Sequence, residues 1–158
     1  FNTVYQKEDE AGNGALMRLA PVPLFFHRHA PIAVEYCGRS AAITHGDRKA
    51  IDACRYYGAL IVAAVQGATR EKLLADDFYE QHRGWFGESD LHPDILTIAH
   101  GSYKKRGGYD EGIRGGGYVV KSLEAALWAF WSDENSFEKG ALLAVNLGDD
   151  TDTTAANY

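Results

Sequence analysis

The clearest hydrophobic pattern in the sequence lies between residues 44 and 66. Apolar residues recur there at steps of three and four, which is the spacing of one face of a helix. The residues on this face are Ala50, Ala53, Cys54, Tyr57, Leu60, Ile61, Ala64 and Val65. Thr44 is a suitable N-cap, Asp47 would lie in the first turn, and Gly67 is a typical stop. The pattern predicts a long helix over residues 44–66.

Three later segments also have the composition of helices. Leucines and aromatic residues provide a buried side over 70–81, and Ser122 can cap a helix that runs through 123–131. Another helix is expected to begin at Ser136 and to run to about Gly148.

The remaining stretches have weaker patterns. Residues 1–14 are polar and contain glycine, which is typical of a loop, whereas Pro21 and Pro23 disfavour a long helix or a central strand over 18–26. The irregular stretch 82–117 contains one candidate short helix near 94–99. Because no alternating strand pattern and no repeat are present, the sequence predicts an all-α fold.

The composition narrows the class of protein. The 158 residues include 46% hydrophobic residues, which suits one globular domain over 1–158 and excludes a mainly disordered chain. With 16 Lys and Arg against 22 Asp and Glu, the formal net charge is −6, so we expect no nucleic-acid partner. Charged residues interrupt every apolar run before it reaches the roughly 18–20 residues that a membrane span needs, so we expect no membrane partner.

The two ends and the two cysteines bear on the origin of the chain. The sequence opens on Phe1 without the pattern of a signal peptide, and it closes on residues that resemble the first turn of a helix. We therefore expect a piece of a longer protein. Cys37 and Cys54 do not make a disulfide framework, which favours reduced thiols and a cytoplasmic location.

A dense acidic cluster lies close to the end of the sequence. Asp149, Asp150 and Asp152 place three carboxylates within four residues, where they repel one another unless a cation or solvent screens them. Carboxylate and hydroxyl oxygens suit magnesium, manganese or calcium better than zinc. An exposed acidic helix start would have the same residues, so the spacing alone leaves both interpretations open.

Two other segments have the chemistry to bind an anion. Gly12, Asn13 and Gly14 allow backbone N–H groups to approach a phosphate, although a plain turn has the same composition. His45 is expected in the first turn of its helix, where free N–H groups attract anions, although a histidine there is more often a surface residue. Arg18 has the charge to pair with a phosphate or a carboxylate.

Taken in order, four segments resemble the ADP-ribosylglycohydrolase family. These segments are residues 12–21, Thr44-His45 with the alanine-rich helix that follows, residues 117–128 and residues 146–153. The resemblance implies an all-α orthogonal helix bundle, of which this chain is the C-terminal part and which is truncated at both ends. It also implies two magnesium or manganese ions.

The resemblance implies metal ligands in the acidic cluster. Asp150, Asp152 and Thr153 correspond to the ligands of the family's Asp-x-Asp-Thr element, whereas Asp149 corresponds to a variable position that shapes the turn.

The resemblance also implies a substrate-binding surface. Gly12, Asn13 and Gly14 correspond to a loop that contacts the diphosphate or the adenosine half of ADP-ribose. His45 corresponds to a histidine that reaches the same region, and Tyr118 lies where the family lines the nucleotide cleft.

One part of the family's site is missing from the sequence. The family has a Thr-Asp-Asp trio near its N-terminus and a Glu upstream that takes part in acid–base catalysis, and no such segment exists after Phe1. Asp76 and Asp77 lack the preceding Gly and Thr, so they do not replace the trio. Two six-coordinate ions need about a dozen ligand positions, so this chain would supply about half of the site.

The resemblance implies a hydrolase that removes ADP-ribose from modified proteins by metal-assisted cleavage of the glycosidic bond. Its partners would be an ADP-ribosylated protein or an ADP-ribose derivative, and the missing N-terminal segment that completes the fold. One alternative is a non-catalytic ADP-ribose or nucleotide binder, like the lens crystallins related to this family. Another is a structural half whose helices at 44–66 and 123–131 leave apolar faces for missing helices to cover.

Overall fold

The structure is a computed structural model that describes residues 11–158, and this range contains nine α-helices. They are α1 Pro21–Phe26, α2 Ala30–Ala42, α3 Arg48–Val65, α4 Arg70–Leu73, α5 Phe78–Gln81, α6 Pro93–Ala99, α7 Val119–Ser132, α8 Phe137–Asn146 and α9 Thr151–Asn157. Between residues 11 and 158 there is no β-strand, so the prediction of an all-α fold is confirmed. Most of the loop predicted over residues 1–14 lies outside the described residues.

The helices α2 and α3 form the most closely packed pair, and α3 also packs against α1, α4, α6 and α7. Their contact is tight at one point, because a Cβ atom on Gly58 of α3 would come within 3.0 Å of the sulfur of Cys37 on α2. Cys37 and Cys54 are both buried free thiols. Burial raises the pKa of each to about 12, so both thiols stay protonated at neutral pH.

The N-cap of helix α3 lies three residues later than predicted. Asp47, not Thr44, is the cap, and its Oδ1 accepts the backbone N–H of Lys49 at 2.7 Å. The N–H groups of Thr44 and His45 instead donate to the carbonyl of Ala41, at 3.1 and 2.9 Å, and so extend the end of α2. His45 therefore lies in the connection between the two helices and not in the first turn of α3.

The helices α1 and α2 form in a stretch that is rich in proline. Pro21 is the first residue of α1 and Pro31 is the second residue of α2. The first turn tolerates proline because its N–H groups have no acceptor within the helix. The sequence reasoning did not predict α2, although its buried residues have a helical spacing. They are Ala30, Ala33, Val34, Cys37, Gly38 and Ala41.

The helix predicted over 70–81 is two short helices, α4 and α5. Between them, the ammonium group of Lys104 donates to the carbonyl of Leu74 at 2.6 Å and pairs with the carboxylate of Asp76. A side chain from a distant loop thus takes a backbone acceptor that a continuous helix would have used. Asp76 and Asp77 are exposed on this turn.

A buried carboxylate holds the irregular segment before α6. Asp52 of α3 is 2% exposed and accepts hydrogen bonds from the guanidinium of Arg55 at 2.8 Å and from the backbone N–H of His92 at 2.8 Å. His92 precedes α6, which covers Pro93–Ala99 and confirms the short helix predicted near 94–99.

The serine predicted to cap the helix over 123–131 has a different role. The helix α7 begins at Val119, so Ser122 lies within it, and the Oγ of Ser122 is buried and accepts the amide N–H of Asn157 at 3.0 Å. Ser136 does cap α8, as predicted, because its Oγ accepts the backbone N–H of Lys139 at 3.2 Å.

The apolar faces that a structural half would leave open are covered only in part by this chain. Leu60 of α3 and Leu127 and Trp128 of α7 are buried, whereas Ala64 and Val65 of α3 are exposed. A cavity of about 160 Å³ remains where α3, α7 and α9 meet. None of the helices in the described part of the chain has both the length and the hydropathy needed to cross a membrane.

Candidate functional site

Segments that are distant in sequence meet beside the start of α9. The backbone N–H of Asn13 donates to the carbonyl of Gly117 at 3.0 Å, and that of Val119 donates to Ala11 at 2.8 Å, which pairs the loop 12–14 with the entry to α7. On the other side, the N–H of Asp150 donates to the carbonyl of Gly115 at 2.8 Å. The glycine segment 115–117 therefore joins the loop 12–14 to the acidic cluster.

A side-chain hydrogen bond ties the same two segments together. Asn13 is 8% exposed, and its Nδ2 donates to Oδ2 of Asp150 at 2.7 Å. This bond, with weaker support from the side chains of Thr153 and Asp152, holds the pKa of Asp150 below its ordinary value. Asp150 is therefore ionised at neutral pH and faces the loop 12–14.

The acidic cluster is shaped by a left-handed turn before α9. Gly148 and Asp149 have φ angles of 78° and 58°, and the Asp149 side chain is exposed. Asp150 is the N-cap residue of α9, and Asp152 is exposed in the first turn. The hydroxyl of Thr153 is buried, 3.6 Å from the sulfur of Met17, which is only a weak acceptor.

The donor atoms of this cluster fit a hard divalent cation in part. The side chains of Asp150 and Asp152 lie within hydrogen-bonding reach of each other, so their oxygens are close enough to face one cation together. Oxygen donors of this kind suit magnesium or manganese. Among residues 11–158, no three His, Cys, Asp or Glu side chains lie close enough to hold a metal ion by themselves. The described cluster therefore does not form a complete metal site by itself.

His45 lies against the glycines of the loop 12–14. A Cβ atom on Gly12 would lie 3.4 Å from Nε2 of His45, and one on Gly14 would lie 3.2 Å from its Cε1. The ring can come this close because both positions lack a side chain. Burial, together with the positive charge of Arg18, lowers the pKa of His45 from its ordinary value, so the ring is neutral at pH 7.

Tyr118 forms the entry to α7 and is held by a lysine. The ammonium group of Lys49 lies 5.6 Å from the centre of the Tyr118 ring and 3.8 Å from Oδ2 of Asp94. A hydrogen bond with Tyr118 is the main reason that the pKa of Lys49 is raised. These contacts give the Tyr118 ring a defined position on the wall of the site.

The structure brings the residues predicted from the sequence to one place. The members of this group are Gly12, Asn13, Gly14, His45, Tyr118, Asp150, Asp152 and Thr153. The sequence did not predict the roles of Gly115, whose carbonyl accepts the backbone N–H of Asp150, or of Lys49, whose ammonium group lies against Tyr118. It predicted Thr44 as a helix cap, which it is not. The run of three glycines at 115–117 was a usable signal, because adjacent glycines permit close backbone approach.

A comparison with known protein families agrees with this arrangement. Residues 2–158 match the family model described as ADP-ribosylglycohydrolase. The chain belongs to the ADP-ribosylglycohydrolase family, as the resemblance in the sequence predicted.

Two curated proteins match most of this chain. The chain is 37% identical over 147 residues to the ADP-ribosylarginine hydrolase Tri1 of Pseudomonas putida (strain GB-1), which covers 92% of this chain and 36% of that protein. It is 33% identical over 148 residues to the ADP-ribosylarginine hydrolase Tri1 of Serratia proteamaculans (strain 568), which covers 94% of this chain and 37% of that protein. The chain therefore spans about a third of the length of these curated relatives.

A solved structure has the same fold. The chain matches an ADP-ribosylglycohydrolase-related protein complex with a TM-score of 0.79 and 41% sequence identity. The match covers 96% of this chain and 49% of the other.

Proposed function

We propose that this chain supplies the ADP-ribose-binding surface and part of the metal site of an enzyme that removes ADP-ribose from modified proteins. The observation that carries the proposal is the hydrogen bond from Asn13 to Asp150, which unites the loop 12–14 with the acidic cluster. Membership of the family and two relatives named as ADP-ribosylarginine hydrolases support the reaction class. They also favour arginine as the residue that carries the ADP-ribose.

The loop 12–14 and His45 would bind the diphosphate of ADP-ribose. Backbone N–H groups at glycines can approach phosphate oxygens closely, and a neutral imidazole can donate a further hydrogen bond to the same group. The ring of Tyr118 would form the wall of the nucleotide cleft. Because Asn13 binds both the backbone of Gly117 and the carboxylate of Asp150, a diphosphate on this loop would place the attached ribose beside the cluster.

Asp150, Asp152 and Thr153 would hold magnesium or manganese, with further ligands from a Thr-Asp-Asp segment outside this chain, as the family implies. A bound divalent cation would polarise ribose oxygens and lower the pKa of a coordinated water. The carboxylates of this chain would stabilise positive charge that develops on the ribose ring as the glycosidic bond breaks. Water would add to the anomeric carbon of the ribose, and the arginine nitrogen would leave with a proton.

The proposal predicts that Asp152 is needed for hydrolysis. In the full-length protein that contains this chain, with magnesium or manganese present, Asp152→Ala should lower the release of ADP-ribose from ADP-ribosylated arginine by about 100-fold or more, since it removes a metal ligand. Titration calorimetry should show a matching loss of metal uptake. Asp149→Asn is the matched control, because Asn tolerates the left-handed turn and Asp149 is exposed, so it should remain close to wild type.

Several outcomes would contradict the proposal. Full activity of Asp152→Ala would show that this carboxylate is not a metal ligand. An absence of metal uptake by the wild-type protein would show that the reaction does not use a bound metal ion. A wild-type protein that binds ADP-ribose but releases none from modified arginine would be a non-catalytic binder.

A further inference from the structure

A chain of hydrogen bonds leads from Arg18 to the ring of His45. Nη2 of Arg18 donates to the carbonyl of Ser40 at 3.1 Å and to Oγ1 of Thr44 at 2.5 Å. The same hydroxyl oxygen lies 2.8 Å from Nδ1 of His45. Arg18 thus reaches the end of α2 and the connection that carries His45, and Thr44 stands between the guanidinium and the imidazole.

The hydrogens available in this series of hydrogen bonds determine which nitrogen of the His45 ring is protonated. A hydroxyl group has one hydrogen to donate and two lone pairs to accept with. A hydroxyl that accepts from a guanidinium is polarised, so its own hydrogen becomes a stronger donor and its oxygen a poorer second acceptor. This polarisation favours donation of the Thr44 hydrogen to Nδ1 of His45, an arrangement in which Nδ1 carries no proton.

We propose that Arg18 and Thr44 are positioning residues that hold His45 as the neutral tautomer with its proton on Nε2. This nitrogen faces the loop, since a Cβ atom on either Gly12 or Gly14 would lie 3.4 Å from it. His45 then presents a hydrogen-bond donor to the space beside two bare glycines. The group that it recognises must be an acceptor, such as a phosphate or hydroxyl oxygen.

The contacts of Arg18 and Thr44 support this tautomer of His45 independently of any substrate. The identity of the acceptor as an oxygen of ADP-ribose rests on the proposed function.

The tautomer can be measured directly by nitrogen NMR of the imidazole rings in the full-length protein labelled with ¹⁵N-histidine. The signal of His45 is identified by its absence in His45→Gln. At pH 7.5 the wild-type ring should have a protonated Nε2 and an unprotonated Nδ1. Thr44→Val removes the hydroxyl at nearly constant shape, so the ring should become a mixture of tautomers, and ADP-ribose should bind about 5- to 20-fold more weakly. Thr44→Ser should restore both the tautomer and the affinity.

The outcomes separate this inference from the proposed function. A proton on Nδ1 in the wild-type protein, or an unchanged tautomer in folded Thr44→Val, would overturn the inference even if hydrolysis is normal. If Thr44→Val does not fold, Arg18→Met tests the same series of hydrogen bonds, since it removes the guanidinium and should also mix the tautomers. A wild-type ring with its proton on Nε2 in a protein that neither binds nor hydrolyses ADP-ribose would overturn the function and leave the positioning role in place.

Discussion

Asn13 and Asp150 are 137 positions apart, and their hydrogen bond shows how single residues acquire roles that their sequence neighbours do not indicate. The sequence suggested that Asn13 belongs to a loop that contacts a diphosphate. In the structure, its side-chain amide donates to Asp150, and its backbone N–H donates to Gly117. Asn13 is therefore a structural link between the loop 12–14 and the acidic cluster, whereas contact of this loop with a diphosphate stays a prediction.

The pKa of His45 should depend on a single neighbouring charge. Burial and the positive charge of Arg18 both lower this pKa from the ordinary value of 6.5. Arg18→Gln removes the charge, so the pKa of His45 should rise towards its ordinary value in an NMR titration, whereas Arg18→Lys keeps the charge and should keep the pKa low. An unchanged pKa in Arg18→Gln would show that the charge of Arg18 does not act on His45.

The lowered pKa of His45 also gives a sign for the dependence of stability on pH. The unfolded chain has the higher pKa, so it binds more protons than the folded protein between the two pKa values. The contribution of His45 to stability is therefore complete above about pH 6.5 and declines as the pH falls through the window below that value. In Arg18→Gln this window should narrow.

At the scale of helices, propensity and capping rules predicted which segments are helical better than they predicted where those helices begin. The sequence around α3 offers two capping residues, Thr44 and Asp47, and the structure uses Asp47 because its backbone is extended and its carboxylate reaches the N–H of Lys49. The sequence around α7 offers Ser122, but packing against α9 places this serine inside the helix. Tertiary contacts decided between caps that are locally equivalent.

The crossing of α2 and α3 should depend on Gly58. In an exposed helix, Gly→Ala is stabilising by about 0.5–1 kcal/mol, but here the new methyl group would meet the sulfur of Cys37. Gly58→Ala should therefore lower the free energy of unfolding by about 1–3 kcal/mol, measured by chemical denaturation. In Gly58→Ala/Cys37→Ala, space is returned at the contact, so the double variant should be destabilised by less than the sum of the two single variants. A Gly58→Ala protein as stable as wild type would show that the helices separate without cost.

At the scale of the whole molecule, the last helix connects the acidic cluster to the core. The hydroxyl of Tyr57 on α3 donates to the carbonyl of Asn157 at 2.6 Å, and the amide of Asn157 donates to Ser122 on α7 at 3.0 Å. These bonds fix the far end of α9, while Gly115 and Asn13 fix its beginning at Asp150. The position of the acidic cluster thus depends on contacts with α3 and α7.

Removal of the hydrogen bond between Ser122 and Asn157 should lower the global stability of the fold. Ser122→Ala leaves the buried amide of Asn157 without its acceptor, which should lower the free energy of unfolding by about 1–3 kcal/mol. Ser132→Ala, near the end of the same helix and half-buried, is the control and should change it by less than about 0.5 kcal/mol. In Ser122→Ala/Asn157→Ala both partners are absent, so the loss should be smaller than the sum of the single losses. Purely additive losses would contradict the proposed pairing.

The sequence by itself determined the helical class and the family, and it predicted a set of candidate site residues that lie together in the structure. A spacing of three and four residues is a local property of the chain, so α3 could be predicted from it, and helix-forming composition with serine caps indicated α7 and α8. The short motifs around Asn13, His45 and Asp150 sufficed for the family because they arrive in a fixed order. The missed helix α2 carries a usable spacing of its own, obscured by the prolines that precede it.

Only the tertiary structure decided how these residues act on one another. The bond from Asn13 to Asp150, the approach of His45 to two bare glycines and the role of Thr44 between Arg18 and His45 all join elements that are separate in the sequence. A hydrogen bond requires two groups within about 3 Å, and sequence separation carries no information about that distance. The packing of α9 against α3 and α7, and of the loop 12–14 against 115–117, brings these groups within that distance.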